Sequence, residues 1–430
     1  MNYSERLNNV IPGGAHTYSR GDDQYPENAP QILERGEGAY VFAPNGDKFL
    51  DYGMALRAVT LGYGYKSVAE AAIKQIWNGN NVTRASLIEL EAAEVMVDLI
   101  PSVDMVKFAK NGSTVTSAAV KIARAYTGKK YIARCLDHPF FSYDDWFIGD
   151  TPLTRGIPAE ISGLTLNFRY NDIDSLVALF EKYSDQIACV ILEPATSAHP
   201  ENNFLQKLKK LCKTNGALFI LDEMITGFRW HLQGAQTYYG VEPDLCTFGK
   251  GMANGFSVAV VAGKREFMSV GGIKEEGAER VFLTSTTHGA EMSSLGALVE
   301  TINVYKRFKV IEHMWSYGQK LINGMNDLAK DLGIGDNFKV EGVSCSPIVV
   351  TRDKGRSSSL AYRTLFLQEM IKNGVLIPCI ALSFAHGELE LQKTLEATRK
   401  SLQVYVKALE SGYEKYLQGK IVKPVFRKYN

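Results

Sequence analysis

The sequence predicts an α/β protein, with a mostly parallel β-sheet flanked by helices in a large domain and a smaller α+β domain after it. From about residue 66 the chain alternates helical patterns with short runs such as IACVIL and ALFIL, which are apolar at every position. Such runs are typical of parallel strands that are buried on both faces. After about residue 290 a long helical pattern, the strand-like run VSCSPIVVT and two further helices follow. We therefore predict a large domain over residues 66–305 and a small domain over residues 306–430.

The first 65 residues have a different character, because they are rich in Gly, Pro, Asn and Asp. Two strand-like segments, AYVFA and KFLDY, flank the turn Pro44-Asn45-Gly46-Asp47, which is a hairpin signal. We expect residues 1–65 to form an N-terminal arm and a segment of the small lobe.

Composition excludes several classes of partner. The 430 residues include 48 Lys and Arg against 47 Asp and Glu, and the basic residues are dispersed along the chain. A protein that binds nucleic acid or an anionic membrane usually gathers its positive charge. No membrane partner and no nucleic-acid partner is expected.

The cysteines and the chain start suggest a compartment. The six cysteines include no C-x-x-C pair and no grouping with histidine at metal-ligand spacing, which predicts reduced thiols and no metal centre. The first residues, MNYSERLNNVIPGG, lack the basic and apolar regions of a signal peptide, and no apolar stretch reaches membrane-spanning length. We expect a cytoplasmic protein.

Lys250 is the most informative single residue. It stands in PDLCTFGKGMANGFSV, between a short apolar run and a loop that contains Gly251 and Gly255. A lysine in this position is either a solvated surface charge or a desolvated amine that attacks carbonyl groups. The residues at the ends of the other strands decide between these two interpretations.

Polar residues follow several of the predicted strands. Asp222 follows ALFIL, Glu193 follows IACVIL, and Asn111 follows VKFAK. Ligands of open α/β sheets bind beyond the carboxyl ends of the strands, where these residues would meet Lys250. Each residue taken singly could instead be a helix cap or a loop residue.

Together these segments resemble a known family. The run DEMITGFRWHLQGAQTYYGVEPDLCTFGK contains D-E-x-x-T-G-F-R and P-D-x-x-x-x-G-K and is similar to the central motif of class III (subgroup II) aminotransferases. The glutamate-1-semialdehyde 2,1-aminomutase branch is the most similar, and the likeness extends from PGGAHTYSRG to LSFAH. The resemblance implies the PLP-dependent transferase fold of type I and the cofactor pyridoxal 5′-phosphate (PLP).

The resemblance assigns roles to three residues around the ring of the cofactor. Lys250 would hold PLP as an imine and then move a proton between the substrate and the cofactor. Asp222 would pair with the pyridinium nitrogen. Met224 would face the ring from beneath, because residues two apart in an extended segment share a side.

The resemblance also implies a phosphate site. Asn111, Gly112 and Ser113 correspond to the family's S-G-T cup at the start of a helix, where free backbone N–H groups attract an anion. Thr114 replaces the glutamate that follows in the family. Without the resemblance, an N-G-S-T run is a common turn and helix cap.

Two further segments complete the cofactor site that the resemblance implies. Phe140 occupies the position of an aromatic residue that covers the upper face of the ring, although paired phenylalanines can equally belong to the core. Ser285, with Thr286 as the alternative, corresponds to a threonine that reaches the phosphate of the neighbouring subunit. This implies a homodimer with shared active sites.

Two residues are candidates for binding the substrate. Arg20 takes the place of an arginine that grips the substrate carboxylate in the aminomutases, a task that suits a planar guanidinium, although it could also be a surface arginine. Glu193 matches a family glutamate near the substrate entrance, and the alternative is a structural cap.

Two departures bear on the reaction. The charged run IKEEGAERVF replaces the Gly/Pro-rich gate of the aminomutases, and IPCIALSFAH lacks their acidic residue for the substrate amine. A mutase must retain its intermediate, so these losses favour an aminotransferase that moves an amino group from a small-molecule donor to a small or sugar-like carbonyl acceptor. The alternatives are a true aminomutase and a non-catalytic binding protein, which would not need both Lys250 and Asp222.

Overall fold

The computed structural model describes residues 2–430 and divides the chain into two compact units. The central unit is Lys66–Ile311, and the flanking unit combines Met1–Tyr65 with Glu312–Asn430. Within residues 2–430, no helix has the length and apolar character that crossing a membrane requires.

The strands are short, and the longest have six residues. In chain order they are β1 Arg35–Glu37, β2 Tyr40–Phe42, β3 Lys48–Asp51, β4 Met105–Ala109, β5 Tyr131–Cys135, β6 Thr165–Phe168, β7 Ile187–Leu192, β8 Leu218–Asp222, β9 Leu245–Phe248, β10 Ala259–Gly263, β11 Phe338–Val343, β12 Ser346–Thr351 and β13 Val375–Leu376.

The helices range from single turns to 24 residues. In chain order they are α1 Tyr3–Val10, α2 Met54–Arg57, α3 Lys66–Trp77, α4 Leu87–Leu99, α5 Gly112–Thr127, α6 Asp145–Ile148, α7 Ala159–Ser162, α8 Ile173–Lys182, α9 Phe204–Thr214, α10 Ala235–Tyr238, α11 Arg265–Met268, α12 Met292–Arg307, α13 Val310–Asp331, α14 Leu360–Lys372 and α15 Glu388–Ser411.

The central unit is built on a seven-stranded sheet in the order β4-β10-β9-β8-β7-β5-β6. Strand β10 runs antiparallel to both of its neighbours, and the pairs from β9 through β6 are parallel. The predicted fold class, a mostly parallel sheet flanked by helices, is confirmed.

Helices cover both faces of this sheet. Strand β7 is buried at all six positions. Its residues Val190 and Leu192 face a core with Leu176 of α8 and Leu208 of α9, while α5 contacts β7, β9 and β10. Alternate residues of a strand point to opposite faces. The fully apolar run at residues 187–192 is thus the direct consequence of a sheet that has no solvated face.

The flanking unit carries a four-stranded sheet in the order β1-β2-β3-β13 and a separate β11-β12 hairpin. The hairpin predicted around Asn45 and Gly46 is present, with β2 antiparallel to β3. After β3 the chain makes a left-handed turn at Met54–Arg57, where φ lies between 41° and 72°. Asp51 holds this turn by accepting hydrogen bonds from the N–H groups of Gly53 and Met54 at 2.7 and 2.9 Å.

The long helical pattern after residue 290 is two helices rather than one. Helix α12 ends at Arg307 and α13 starts at Val310, because Phe308 adopts an extended backbone. Neither glycine nor proline marks the break, so the helical periodicity of the sequence passes through it. The run VSCSPIVVT covers residues 343–351, of which Val343 ends β11 and the last six residues form β12, which pairs with β11.

Candidate active site

Polar residues meet at the carboxyl edge of the central sheet. Leu192 of β7 pairs with Leu221 of β8, so Glu193 and Asp222 leave neighbouring strands at the same edge. Asp222 in turn pairs with Thr247 of β9, three residues before Lys250. The parallel arrangement therefore brings together residues that are far apart in the sequence.

Asp222 is buried and has one carboxylate oxygen to spare. Its Oδ1 accepts a hydrogen bond from the Thr247 hydroxyl at 3.0 Å and another from the Met224 N–H at 3.0 Å. Its Oδ2 accepts none from any residue in the described range 2–430. Burial raises the pKa of Asp222, and the charge of Lys250 is among the influences that oppose this rise.

The carboxylate of the next residue, Glu223, has a structural role instead. Glu223 is fully buried, and its two oxygens accept hydrogen bonds from the Thr226 hydroxyl at 2.6 Å and from the N–H groups of Ala235 and Gln236, each at 2.8 Å. These bonds fix the segment that links β8 to α10. Of the two neighbouring acids, only Asp222 keeps an acceptor for a ligand.

Lys250 begins a short 3₁₀ segment after the extended residue Gly249. The φ of Lys250 is 46°, in the left-handed region that residues other than glycine seldom occupy. Such strain is found at functional positions that the surrounding fold holds in place. The residue is half-buried, and it is close enough to Asp222 to influence its pKa.

Met224 connects this corner to the start of α5. A Cβ atom added to Gly249 would lie 2.7 Å from the sulfur of Met224, and one added to Gly112 would lie 2.9 Å from it. The thioether therefore sits between the two glycines and fills the space that a side chain would need. Residues 112, 222, 224 and 249 therefore form one continuous surface, or wall, at this edge of the sheet.

The first turn of α5 presents unused donors. Asn111 caps the helix, and its Oδ1 accepts hydrogen bonds from the N–H and the hydroxyl of Thr114 at 3.0 and 3.1 Å. The N–H groups of Gly112 and Ser113 make no hydrogen bond to any residue among 2–430. Two free N–H groups at the positive end of a 16-residue helix can bind an anion.

The segment that carries Phe140 is tied to this helix terminus. The Ser113 hydroxyl accepts a hydrogen bond from the Tyr143 N–H at 3.1 Å, and the Thr116 hydroxyl donates to the Phe141 carbonyl at 2.7 Å. Phe141 is buried in the core, whereas 46% of Phe140 is exposed. Only the first of the two phenylalanines is available to a ligand.

Glu193 is held by a buried histidine. Its N–H donates to Nδ1 of His138 at 2.9 Å, while Nε2 of His138 has no hydrogen-bond partner in the part of the chain that the structure describes. Burial lowers the pKa of His138 to about 4, which keeps the imidazole neutral. His138 follows β5, so it belongs to the same edge of the sheet.

Ser285 and Thr286 lie on an exposed loop before α12. The loop is anchored to the segment after α3, because the side-chain amide of Asn81 donates to the Thr287 carbonyl at 3.0 Å. Nδ1 of His288 lies 3.3 Å from the same amide nitrogen, so His288 also attaches this loop to the segment after α3.

Arg20 belongs to the flanking unit. It is exposed at the end of a 3₁₀ turn, Tyr18–Arg20, and lines a cavity of about 870 Å³ together with Tyr25, Asp51 and Tyr63. The other candidate residues, from 111 to 286, all lie in the central unit.

Two residues of this site were not predicted from the sequence: Thr247, which supports Asp222, and His138, which supports Glu193. Thr114, which replaces a family glutamate, adds a hydroxyl beside the first turn of α5. Thr247 is visible only when β8 and β9 are aligned, because 25 residues separate it from Asp222. His138 gave no signal, because it lies outside the matched motif.

Comparison with known proteins gives consistent results. The sequence model of the family described as Aminotransferase class-III matches residues 22–381. The chain is 30% identical to glutamate-1-semialdehyde 2,1-aminomutase of Francisella philomiragia, covering 91% of this chain and 95% of that protein. It is 31% identical to the enzyme of the same name from Methanopyrus kandleri, covering 93% and 96% of the two chains.

The fold is shared with a solved structure that contains the cofactor. The Sphingopyxis sp. FumI protein, in its PLP internal aldimine form, superimposes with a TM-score of 0.86 at 27% identity and covers 95% of this chain and 97% of its own. Since the family match covers most of the sequence and the sheet edge has the donor set described above, the chain belongs to the class III aminotransferases, a family of PLP-dependent transaminases and aminomutases.

Proposed function

We propose that this enzyme transfers amino groups between separate donor and acceptor molecules, with PLP bound at the carboxyl edge of the central sheet. The buried carboxylate of Asp222 carries this proposal, because its Oδ2 accepts no hydrogen bond within residues 2–430. Burying a carboxylate is costly unless hydrogen-bond donors compensate it, and a ligand that donates to Oδ2 would add such a donor. The protonated nitrogen of a pyridine ring is such a donor.

The other residues of the site fit the phosphate group and the two ring faces of PLP. The free N–H groups of Gly112 and Ser113, with the hydroxyl of Thr114 beside them, would bind the phosphate, and Asn111 fixes the turn. Phe140 would cover one face of the ring and Met224 the other, since Met224 fills the wall between Gly112 and Gly249.

When bound, PLP supplies a carbonyl group that accepts the amino group and a ring that withdraws electrons from the substrate carbon. Lys250 would act through its Nζ, taking the proton from the substrate carbon and delivering it to C4′ of the cofactor. Asp222 keeps the ring nitrogen protonated, and Thr247 holds the Asp222 carboxylate in place. Glu193, fixed by His138, and Arg20 are proposed to bind the substrate.

We further propose a homodimer in which Ser285 or Thr286 reaches the phosphate of the partner. An exposed apolar face supports this arrangement: Ile73, Ile76 and Trp77 project from one side of α3, and 85% of Trp77 is exposed. Leu87 and Leu90 of α4 are exposed as well. Contiguous apolar surface of this kind marks an interface.

We also propose that residues 66–305 act as the cofactor domain, with residues 1–65 and 306–430 as arm and small domain. We still expect the cytoplasm as the compartment, because none of the six cysteines in the described residues 2–430 forms a disulfide.

An aminomutase is the second candidate, because the relatives with about 30% identity carry that name. Against it, the segment over residues 273–282 is charged and almost wholly exposed. At the position of the missing acid, Ser383 is buried, and its hydroxyl forms a hydrogen bond with His386 at 2.9 Å. We therefore favour transamination between separate molecules.

The test is a panel of amino donors added to the PLP-loaded protein, followed by carbonyl acceptors. We expect a donor to convert the bound cofactor to its amine form and an acceptor to regenerate it. Lys250→Ala should abolish borohydride trapping of the cofactor, while Lys264→Ala should leave it intact. Turnover of glutamate-1-semialdehyde to 5-aminolevulinate, with no other active pair, would establish the aminomutase instead.

A further inference from the structure

An ion pair lies directly beside the proposed phosphate site. Lys110 is the last residue before Asn111, and its Nζ contacts the carboxylate of Glu291 and lies 3.3 Å from the hydroxyl of Ser294. Only 27% of the Lys110 side chain and 28% of the Glu291 side chain are exposed. Exposed ion pairs contribute little to stability, whereas a partly buried pair in a network can fix local geometry.

The acidic partner belongs to a network that holds the loop before α12. The amide nitrogen of Asn80 donates to Glu291 at 2.9 Å, and the amide oxygen accepts from the Ser293 N–H at 3.1 Å. The Asn80 carbonyl accepts from the Met292 N–H at 2.9 Å. Asn81 next to it bonds the Thr287 carbonyl. Both ends of the segment over residues 287–293 are therefore attached to the turn after α3.

The pair connects two parts of the site that lie far apart in the sequence. On one side, Lys110 continues into the turn Asn111–Ser113, and its carbonyl accepts a hydrogen bond from the Ser257 hydroxyl at 2.7 Å. On the other side, Glu291 lies immediately after the loop that carries Ser285 and Thr286. Breaking the pair would remove one of the contacts that hold the C-terminal end of the loop, without changing a residue that we propose to touch the cofactor.

We propose that Lys110 and Glu291 are positioning residues that hold the loop with Ser285 and Thr286 in the conformation that reaches the partner's phosphate site. This inference deepens the proposed function and rests on its homodimer. Each protomer's pair then governs cofactor binding in the other protomer. Lys110 itself is not a phosphate ligand in this arrangement, since its Nζ is engaged by Glu291 and Ser294.

The first experiment measures the dissociation constant of PLP for the apoprotein. Lys110→Met and Glu291→Gln should each weaken binding about tenfold, and the exchange Lys110→Glu with Glu291→Lys should recover most of the loss. The thermal midpoint of the apoprotein should change little in all three variants. Lys107→Met is the matched control, because Lys107 lies on β4, three residues before Lys110, and is exposed. Unchanged PLP affinity in Lys110→Met would overturn the inference.

Mixed dimers separate this role from a general structural one. They are prepared with two affinity tags, and cofactor bound at Lys250 is counted by mass spectrometry after borohydride reduction. When one protomer carries Lys110→Met and the other Lys250→Ala, the only trapping site receives its loop from the chain with an intact pair. We expect binding at that site to match the unmodified protein.

The reverse arrangement places both substitutions in one protomer and leaves the other unmodified. The unmodified protomer then receives a loop whose ion pair is broken, so we expect its binding to weaken about tenfold. Weakening in the first arrangement but not in the second would overturn the inference and leave the homodimer standing. A monomer with full cofactor occupancy in sedimentation would instead contradict the dimer on which the inference rests.

Discussion

The hydroxyl of Thr247 donates a hydrogen bond to Oδ1 of Asp222 at 3.0 Å, across the paired strands β9 and β8. Because the Met224 N–H binds the same oxygen, both protein donors lie on one side of the carboxylate. The other oxygen stays available at the sheet edge. Thr247 therefore orients the group that we propose to protonate the cofactor ring.

Removing this hydroxyl should slow proton transfer without emptying the site. We expect Thr247→Val to lower the rate of the first half-reaction by roughly tenfold, in line with the loss of a residue that supports a functional carboxylate. Thr247→Ser keeps the donor and should stay within about twofold of the unmodified rate. Single-turnover measurements with excess donor give this rate. Equal rates for the valine and serine variants would refute the role.

Asp222 and Glu223 should respond oppositely to amide substitution. Burial raises the pKa of Asp222, whereas the unfolded chain ionises near its ordinary pKa of about 3.9. The apoprotein thus loses stability as the pH rises above that value, because the folded state must ionise a buried group. We expect Asp222→Asn to raise the thermal midpoint of the apoprotein at pH 7 and to reduce the further gain on adding PLP.

Glu223→Gln is the matched control for that substitution. Its carboxylate accepts three hydrogen bonds from the protein, so an amide there would place an N–H group against other donors. We expect a lower midpoint with and without PLP. If Asp222→Asn lowered both midpoints in the same way, Asp222 would be a structural acid like its neighbour.

The sequence predicts those parts of the fold that local pattern encodes. Runs such as residues 187–192 are apolar at every position because both faces of the sheet are covered, and the structure confirms them as strands. Strand β10 was not predicted, since AVVAG follows a glycine-rich loop and its antiparallel direction depends on pairing with β4 and β9. The direction and the order of strands in a sheet depend on tertiary contacts, which a short stretch of sequence does not encode.

The residues of the candidate site also fall into two groups, those that a local motif indicates and those that depend on tertiary contacts. Asp222 and Lys250 stand in a contiguous motif, so the sequence alone indicates them. Thr247 and His138 act through hydrogen bonds to residues that are distant in the sequence. Their selection requires the strand register, and neither residue type is diagnostic by itself.

Two buried histidines, His138 and His386, should make the free energy of unfolding depend on pH. Burial lowers the pKa of both His138 and His386 to about 4, whereas an unfolded histidine titrates near about 6.5. Below that value the unfolded chain binds protons that the folded chain does not. Stability should therefore fall as the pH decreases from about 6.5 to about 4, by up to about 1.4 kcal/mol per pH unit for each group.

The midpoint of thermal unfolding of the apoprotein, recorded between pH 7 and pH 4.5, tests this expectation. His138→Asn and His386→Asn retain an acceptor in place of Nδ1 and should each make the decline shallower. His16→Gln, at an exposed position, should leave the decline unchanged. If the midpoint fell equally steeply with pH in the buried and the exposed variants, groups other than His138 and His386 would cause the acid sensitivity.

The contact between Gly249 and Met224 provides the sharpest steric test of the cofactor site. Gly249 has an extended backbone that alanine can adopt, so Gly249→Ala adds one methyl group without backbone strain. That methyl would lie 2.7 Å from the Met224 sulfur, whereas the nearest atom outside Met224 is the Cβ of Ala259 at an ordinary 3.5 Å. The thioether must therefore move, which would alter the surface on which we propose that the PLP ring lies.

We expect Gly249→Ala to weaken PLP binding by roughly tenfold or more, the order of effect that overpacking produces. Met224→Val removes the sulfur, so the double variant Gly249→Ala with Met224→Val should bind PLP more tightly than Gly249→Ala alone. Gly163→Ala is the control, because the nearest atom to its added methyl lies 3.9 Å away. Titration of the apoproteins with PLP gives the four affinities. Strictly additive losses in the double variant would mean that Met224 does not lie against the ring.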